Sequence, residues 1–461
     1  MIQIDRIRTP GDLAARIHQL FELSAGKIQD LERSWSASAG APVFTVAGRY
    51  TTRGWTEWTE GFQYGSALLQ FDATGDRSFL ELGRERTMSR MAPHLTHVGV
   101  HDHGFNNVST YGALWRLARE RRVETCEWEV RTYELALRVS GAIQARRWTR
   151  LPDGGFIYSF NGAHSLFVDT IRSLRALALA YRLGHRLIEE QDAQIDLLTR
   201  LLQHARATAR YNVYYGAARD HFDVRGRVAH ESLFNAANGT YRGPSTQQGY
   251  SPFTTWTRGL AWAMLGFAEQ IEFLATLPPA SLKAAGDPNA IEWMLDAARA
   301  TCDFYMDHAA CADGVPYWDT GAPGLVTLGD WGSRPSDPFN DREPVDSSAA
   351  AIGAQGLLRL GRILADRGQD GSRYEQAGLR VLDTLIDESG PYVSRDPQHQ
   401  GLLLHSVYHW PNGWDHVPAG AHIPRGESSQ WGDYHLREAA LYVKRLAAGD
   451  PYLAFFGIER T

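Results

Sequence analysis

Cysteine is scarce in this chain. Its 461 residues hold three, Cys126, Cys302 and Cys311, an odd number without the paired spacing of a metal knuckle. That excludes a disulfide scaffold and fits free thiols in a reducing compartment. Positive charge is not in excess either. A net charge of -6 and a pI near 6.3 argue against a binder of nucleic acid or long polyanions, which carries a basic face. No apolar run is long enough to span a bilayer, so no membrane partner is expected. Met1-Ile2-Gln3-Ile4-Asp5-Arg6 lacks the basic and then apolar regions of a secretory leader. A cytoplasmic location is the expectation, and a processed periplasmic form would read the same way. Nucleotide signatures are missing: there is no G-x-G-x-x-G and no P-loop, so no nucleotide cofactor is expected. Ser347 and Ser348 lack the G-x-S-x-G setting of an activated serine. His101-x-His103 has the form of a metal-ligand pair that His405, His409, His416 and His422 could extend. Without H-E-x-x-H or a similar helical spacing, no metal is expected.

Helical periodicity, in contrast, is everywhere, and period-two alternation is rare. The pattern predicts helices at roughly 11–35, 61–72, 76–92, 102–120, 125–145, 166–184, 190–210, 255–276, 287–308, 346–367, 372–388 and 430–447. They form two sets. One is apolar or small on several sides, as in Ala261-Trp262-Ala263-Met264-Leu265-Gly266, and belongs inside. The other is amphipathic and charged. Alternation of the two in six hairpins predicts an all-α fold, a closed six-hairpin (α/α) toroid forming one domain over 1–461. Its inner helices run parallel, so their N-termini, with the positive ends of their dipoles, open at one mouth that suits an anionic ligand.

Several polar groups sit at those openings. Asp102 and Asp169 each precede a helix, where Asp is also a common N-cap. Asp169 follows the apolar run Leu166-Phe167-Val168, a setting expected to raise its pKa by desolvation, and a second carboxylate nearby would raise it further. Trp256-x-Arg258 pairs a flat apolar face, suited to a sugar ring, with a fork donor suited to a carboxylate. Gln247 and Gln248 precede it, and His230 is either a site base or a surface residue. Asp346 reads as a helix cap. Aromatic residues beside Gly, Asp and Pro, as in Trp318-Asp319 and Trp410-Pro411-Asn412-Gly413-Trp414, mark informative loops.

These pieces together resemble glycoside hydrolase family 88, the unsaturated glucuronyl hydrolases. The similarity runs from about Trp55 to Trp431. It is carried by His101-Asp102-x-Gly104-Phe105, by Asp169 after its apolar run, and by Gln248-Gly249-Tyr250 with Trp256-x-Arg258-Gly259. Asp346-Ser347-Ser348-Ala349 and Trp431-Gly432-Asp433-Tyr434 complete it.

The resemblance implies an activity: removal of the 4,5-unsaturated uronic acid that polysaccharide lyases leave on the non-reducing end of oligosaccharides. Asp169 matches the family's general acid/base, which protonates C4 and directs water to C5. Asp102 matches the second essential Asp, which binds ring hydroxyls and tunes Asp169. His230, Gln248, Trp256 and Arg258 match residues around the sugar and its carboxylate; Gln247 stands where the family more usually has His. Trp55 or Trp58 is expected to supply another stacking face. The segment 405–425 is longer and more polar than the family pattern, as a divergent subgroup with a different neighbouring sugar would have. Three rival readings remain at this stage. One is the related unsaturated rhamnogalacturonyl hydrolases. Another is an inverting glycosidase, with carboxylates about 6.5–9.5 Å apart. The third is a sugar epimerase, or a non-catalytic sugar-binding toroid.

Overall fold

The structure, a computed structural model, describes residues 1–54 and 57–458. Among them, six helical stretches are buried along most of their length: Glu60–Thr74, 103–119, 170–182, Thr257–Leu274, Ser347–Asp366 and Gln430–Ala447. Each packs against the next, and Gln430–Ala447 packs against Glu60–Thr74, so the six close a ring. Around it lie the amphipathic partners Arg77–Arg90, Glu127–Arg146, Leu197–Tyr211, Ala290–Phe304 and Ser372–Leu385. Ala14–Ser34 completes the outer set, against both Glu60–Thr74 and Gln430–Ala447.

Local sequence explains the hairpins. Gly75 ends one inner helix in the left-handed conformation at φ 77°, and the Asp76 carboxylate then caps the outer helix by accepting from the Ser78 amide at 2.9 Å. Inner helices approach closely where side chains are smallest. A Cβ on Gly356 would stand 2.7 Å from the Met264 Cβ, so only glycine fits that crossing. Apolar helices seal the ring, and charged groups inside it are paired in clusters. Arg172 and Arg175 meet Glu269 and Glu438, with Arg172 Nη2 2.6 Å from Glu438 Oε2. Near the helix C-termini, Arg116, Arg122 and Arg445 gather on Asp72, and Arg116 and Arg445 on Glu120 as well. Removing one partner from such a buried cluster costs roughly 3–5 kcal/mol, because the charge left behind is unpaired.

Helix positions agree with the periodicity, with two corrections. The expected helix at 166–184 begins as a strand, Ser165–Phe167, and becomes helical only from Thr170. A short run apolar on all sides has no period to distinguish strand from buried helix. The expected helix at 190–210 begins at Leu197, because Arg186–Ile188 and Gln194–Asp196 form a hairpin first. The all-α expectation is corrected accordingly: helices dominate, but short antiparallel ladders link them. The most consequential is three-stranded, Ser165–Phe167 beside Glu231–Phe234 beside Tyr241–Ser245. Phe167 pairs with Glu231, and the Val168 amide donates to the His230 carbonyl at 3.0 Å, so the ladder sets Asp169 beside His230.

No helix among the described residues is long and apolar enough to cross a membrane. All three cysteines are free thiols, Cys126 exposed and Cys302 and Cys311 buried.

Candidate active site

Two carboxylates stand at helix starts without capping them. Asp102 precedes His103–Asn107 and Asp169 precedes Thr170–Ser173, yet neither side chain accepts a helix amide. Asp346 does cap, accepting from Ser348 and Ala349 at 3.0 and 3.3 Å. Both uncapped carboxylates are nonetheless buried, at 4% and 8% exposure. Burying a carboxylate without that compensation is costly.

His101 joins them. Its Nε2 lies 3.4 Å from Asp169 Oδ1 and 3.7 Å from Asp102 Oδ1. The Phe160 ring stacks on the imidazole at 5.3 Å. The backbone that carries His101 is bolted to the Asp169 helix: the Ser173 hydroxyl and Gln144 Nε2 donate to the His101 carbonyl at 2.7 and 2.9 Å. The Gly104 amide in turn donates to Ser173 Oγ at 2.8 Å. A Cβ on Gly104 would lie 2.3 Å from the Ser173 carbonyl oxygen, so glycine is required where the two helix starts touch.

This grouping corrects the expected protonation. Burial pushes Asp102 up to about 6, with His101 opposing and the Asp169 charge adding to the rise. Burial acts on Asp169 too, but contact with His101 and the fields of His230 and Arg258 outweigh it, and its pKa falls below the ordinary carboxylate value. Burial disfavours the charged form of His101, but the two carboxylates prevail and raise its pKa. Of the two carboxylates, Asp169 is therefore the one held ionised, and Asp102 is the one that keeps its proton to higher pH.

A cavity opens over this group. Gln247, Gln248, Trp256, Arg258 and Trp58 line it, as do Asp102 and Asp169. Trp55 lies outside the described residues. Trp58 stacks at 5.1 Å on Trp431, so one of its faces is already covered. His230 is not among the lining side chains. It sits behind Gln247 and Gln248, its Nδ1 accepting both backbone amides at 3.0 and 3.3 Å, which makes it a support for that loop. Burial lowers its pKa to about 4 and keeps it neutral.

Arg258 also departs from the expectation of an open fork. Its Nη1 donates to Asp346 Oδ2 at 3.0 Å and to the Val407 carbonyl; its Nη2 donates to Gln248 Oε1 and to the Tyr408 carbonyl, each at 2.8 Å. The guanidinium also lies 4.6 Å from the centre of the Trp256 ring. It brings charge to the cavity while its donors hold the protein together.

Sequence reasoning missed one part of the cavity wall. Tyr408, His409 and Trp414, from the 405–425 segment, line the cavity with Phe105 and Trp262. Asp415 fixes them, its carboxylate accepting the Tyr408 and His409 amides, the latter at 2.8 Å. The density of Trp, Pro, Asn and Gly in 410–414 was the available signal. His103 is packed behind the site. Its Nδ1 lies 3.1 Å from Ser140 Oγ and its Nε2 3.1 Å from the His97 carbonyl. No group of three or more His, Cys, Asp or Glu among the described residues is placed to hold a metal ion.

No family model matches the chain. It is similar over most of its length to unsaturated glucuronyl hydrolases. The relative from Bacillus sp. strain GL1 is 26% identical over 414 residues, 87% of this chain and 90% of the relative. An unsaturated chondroitin disaccharide hydrolase of Streptococcus pyogenes serotype M1 is 26% identical over 396 residues, covering 84% of this chain and 81% of that one. The crystal structure of the Bacillus sp. GL1 unsaturated glucuronyl hydrolase superposes with a TM-score of 0.70 at 22% identity, over 96% of this chain and 100% of that one. An unsaturated glucuronyl hydrolase specific for heparin superposes equally well, at 0.70 and 18% identity. The fold is thus shared.

Proposed function

We propose that this chain is one (α/α) toroid domain of six hairpins that acts as a glycoside hydrolase. It removes a non-reducing terminal 4,5-unsaturated uronic acid from lyase-generated oligosaccharides. The observation that carries the reading is the pair of buried carboxylates at uncapped helix starts, joined by His101 beneath an aromatic-walled cavity. The relatives' names supply the substrate class.

The substrate is a vinyl ether, C4=C5 conjugated with the C5 carboxylate and attached to the ring oxygen. Catalysis needs a proton for C4 and a water for C5. The uronate's negative charge, entering beside Asp169, favours its protonated form, and His101 reaches both carboxylates to pass the proton across. Asp169 then gives that proton to C4. The π electrons form the C4–H bond, and positive charge develops on C5, shared with the ring oxygen. Water adds to C5 and returns a proton to the Asp169 carboxylate. The C5 hemiketal opens to a ketone, and the hemiacetal left at C1 expels the aglycone as an alcohol. Atoms balance with one water consumed. Asp102 stores the proton between turnovers and hydrogen-bonds ring hydroxyls; Trp256 supplies an apolar face to the sugar.

The test uses a panel of lyase-generated unsaturated disaccharides from chondroitin, hyaluronan, heparin, ulvan, gellan and rhamnogalacturonan. Loss of ultraviolet absorbance reports hydration of the conjugated double bond. Loss with a panel member supports the reading, and no loss across the panel with folded protein overturns it.

A further inference from the structure

His409 presents a buried donor that nothing inside the protein uses. The residue is 2% exposed and lines the cavity. Asn412 Nδ2 donates to its Nε2 at 3.2 Å, so Nε2 is the bare nitrogen and Nδ1 carries the hydrogen. That Nδ1 has no hydrogen-bonding partner; it leans toward its own backbone in a geometry that makes no bond. Burial, with the Arg258 charge nearby, lowers the imidazole pKa to about 4, so the ring is neutral near pH 7. The ring is also held in place: Trp414 packs on it at 4.7 Å, and Asp415 clamps its backbone amide at 2.8 Å. A buried N–H without a hydrogen-bond partner, on a held side chain that lines a cavity, is a donor that a ligand acceptor can take up.

Arg258 says which acceptor. Its charge draws an anion into this side of the cavity, yet four of its hydrogen bonds are already made to Asp346, Val407, Gln248 and Tyr408. An incoming carboxylate needs donors from other side chains. Gln248 spends its Oε1 on Arg258, which leaves its amide NH₂.

Building on the unsaturated uronide reading, we propose that His409, through Nδ1–H, is a carboxylate-binding specificity residue. It receives the uronate carboxylate together with the Gln248 amide, while Arg258 supplies charge from behind. The segment 405–425 therefore reads the acid group of the sugar itself.

The test compares His409→Phe, His409→Asn and His409→Gln with wild type, on the most active panel disaccharide and on its uronate methyl ester. The Asn amide NH₂ falls where Nδ1–H stands, and that of Gln falls where Nε2 stands. His409→Phe is expected to raise KM for the free acid roughly 10- to 100-fold, the worth of a hydrogen bond to a charged group, with kcat changed only a few-fold. The methyl ester should lose much less, His409→Asn should recover most of the affinity and His409→Gln should not. If His409→Phe leaves KM unchanged while wild type is active, the inference falls alone. It falls too if acid and ester suffer equally, or if Asn rescues no better than Gln. If wild type consumes no panel member, the functional reading falls and takes this inference with it.

Discussion

His101 Nε2 stands 3.4 Å from Asp169 Oδ1, and that contact reverses the protonation that the burial of Asp169 alone would impose. The general acid of the proposed reaction is an anion at rest. In that reaction its proton comes from Asp102 and His101 when a negatively charged sugar arrives.

Asp169→Asn is expected to lower turnover by about 10³-fold or more, the worth of a positioned acid–base group at its upper range. Asn is nearly isosteric, and the native side chain caps nothing, so the melting temperature should stay close to wild type. Steady-state kinetics beside a thermal melt checks both. Wild-type turnover in this variant would remove Asp169 from the chemistry.

The pH profile follows from the signs of the shifts. Asp102 loses its proton as pH rises through about 6, and His101 loses its own above the usual imidazole value. Activity (kcat/KM) should therefore decline as pH rises through that range. In His101→Gln the cation that holds Asp169 ionised is gone, and so is the group that reaches both carboxylates, so turnover should drop about 100-fold and the alkaline limb should change position. An unmoved profile in that variant would show that His101 does not set it.

Arg258→Ala is expected to damage folding as well as binding. The substitution strips the buried Asp346 of its partner at 3.0 Å and releases the carbonyls of Val407 and Tyr408. Breaking a buried pair of this kind costs roughly 3–5 kcal/mol. Denaturant unfolding should record that loss alongside a raised KM. A raised KM with stability intact would mean that the fork serves substrate alone.

Gly104→Ala tests the joint between the two helix starts. Its Cβ would meet the Ser173 carbonyl oxygen at 2.3 Å, so the backbones must part. Overpacking of this type costs about 1–3 kcal/mol. Turnover should fall further than stability, since the shift displaces Asp102 from Asp169. Equal, small effects would show that the site tolerates the spreading.

The sequence was most legible where one physical cause acts alone. The run Ser348-Ala349-Ala350-Ala351-Ile352-Gly353 is small and apolar on every side, and it lies buried within Ser347–Asp366. At Asp102 and Asp169 a capping Asp and a reactive one share the same sequence position; what separates them in the structure is that neither carboxylate accepts a helix amide. Ser165–Phe167 was read as helix because its pairing partner, Glu231–Phe234, lies far along the chain. Arg258 was read as a free fork because Val407 and Tyr408, whose carbonyls occupy it, carry no sign of that use in their side chains. His101 drew notice for its spacing to His103, whereas what matters is its distance from two carboxylates.

The ring closes where Arg437 Nε donates to Ser24 Oγ at 2.7 Å, across 413 positions of sequence. During synthesis the helix Ala14–Ser34 leaves the ribosome long before Gln430–Ala447 exists to complete its cover. Leu20 and Phe21, buried in the finished protein, must be shielded meanwhile by chaperones or by transient partners. Local hairpins can assemble early, while the final seam is a long-range closure, a class of contact that forms slowly. Moving the chain's break to another inter-hairpin loop by circular permutation would make that last hairpin local and relocate the slow step.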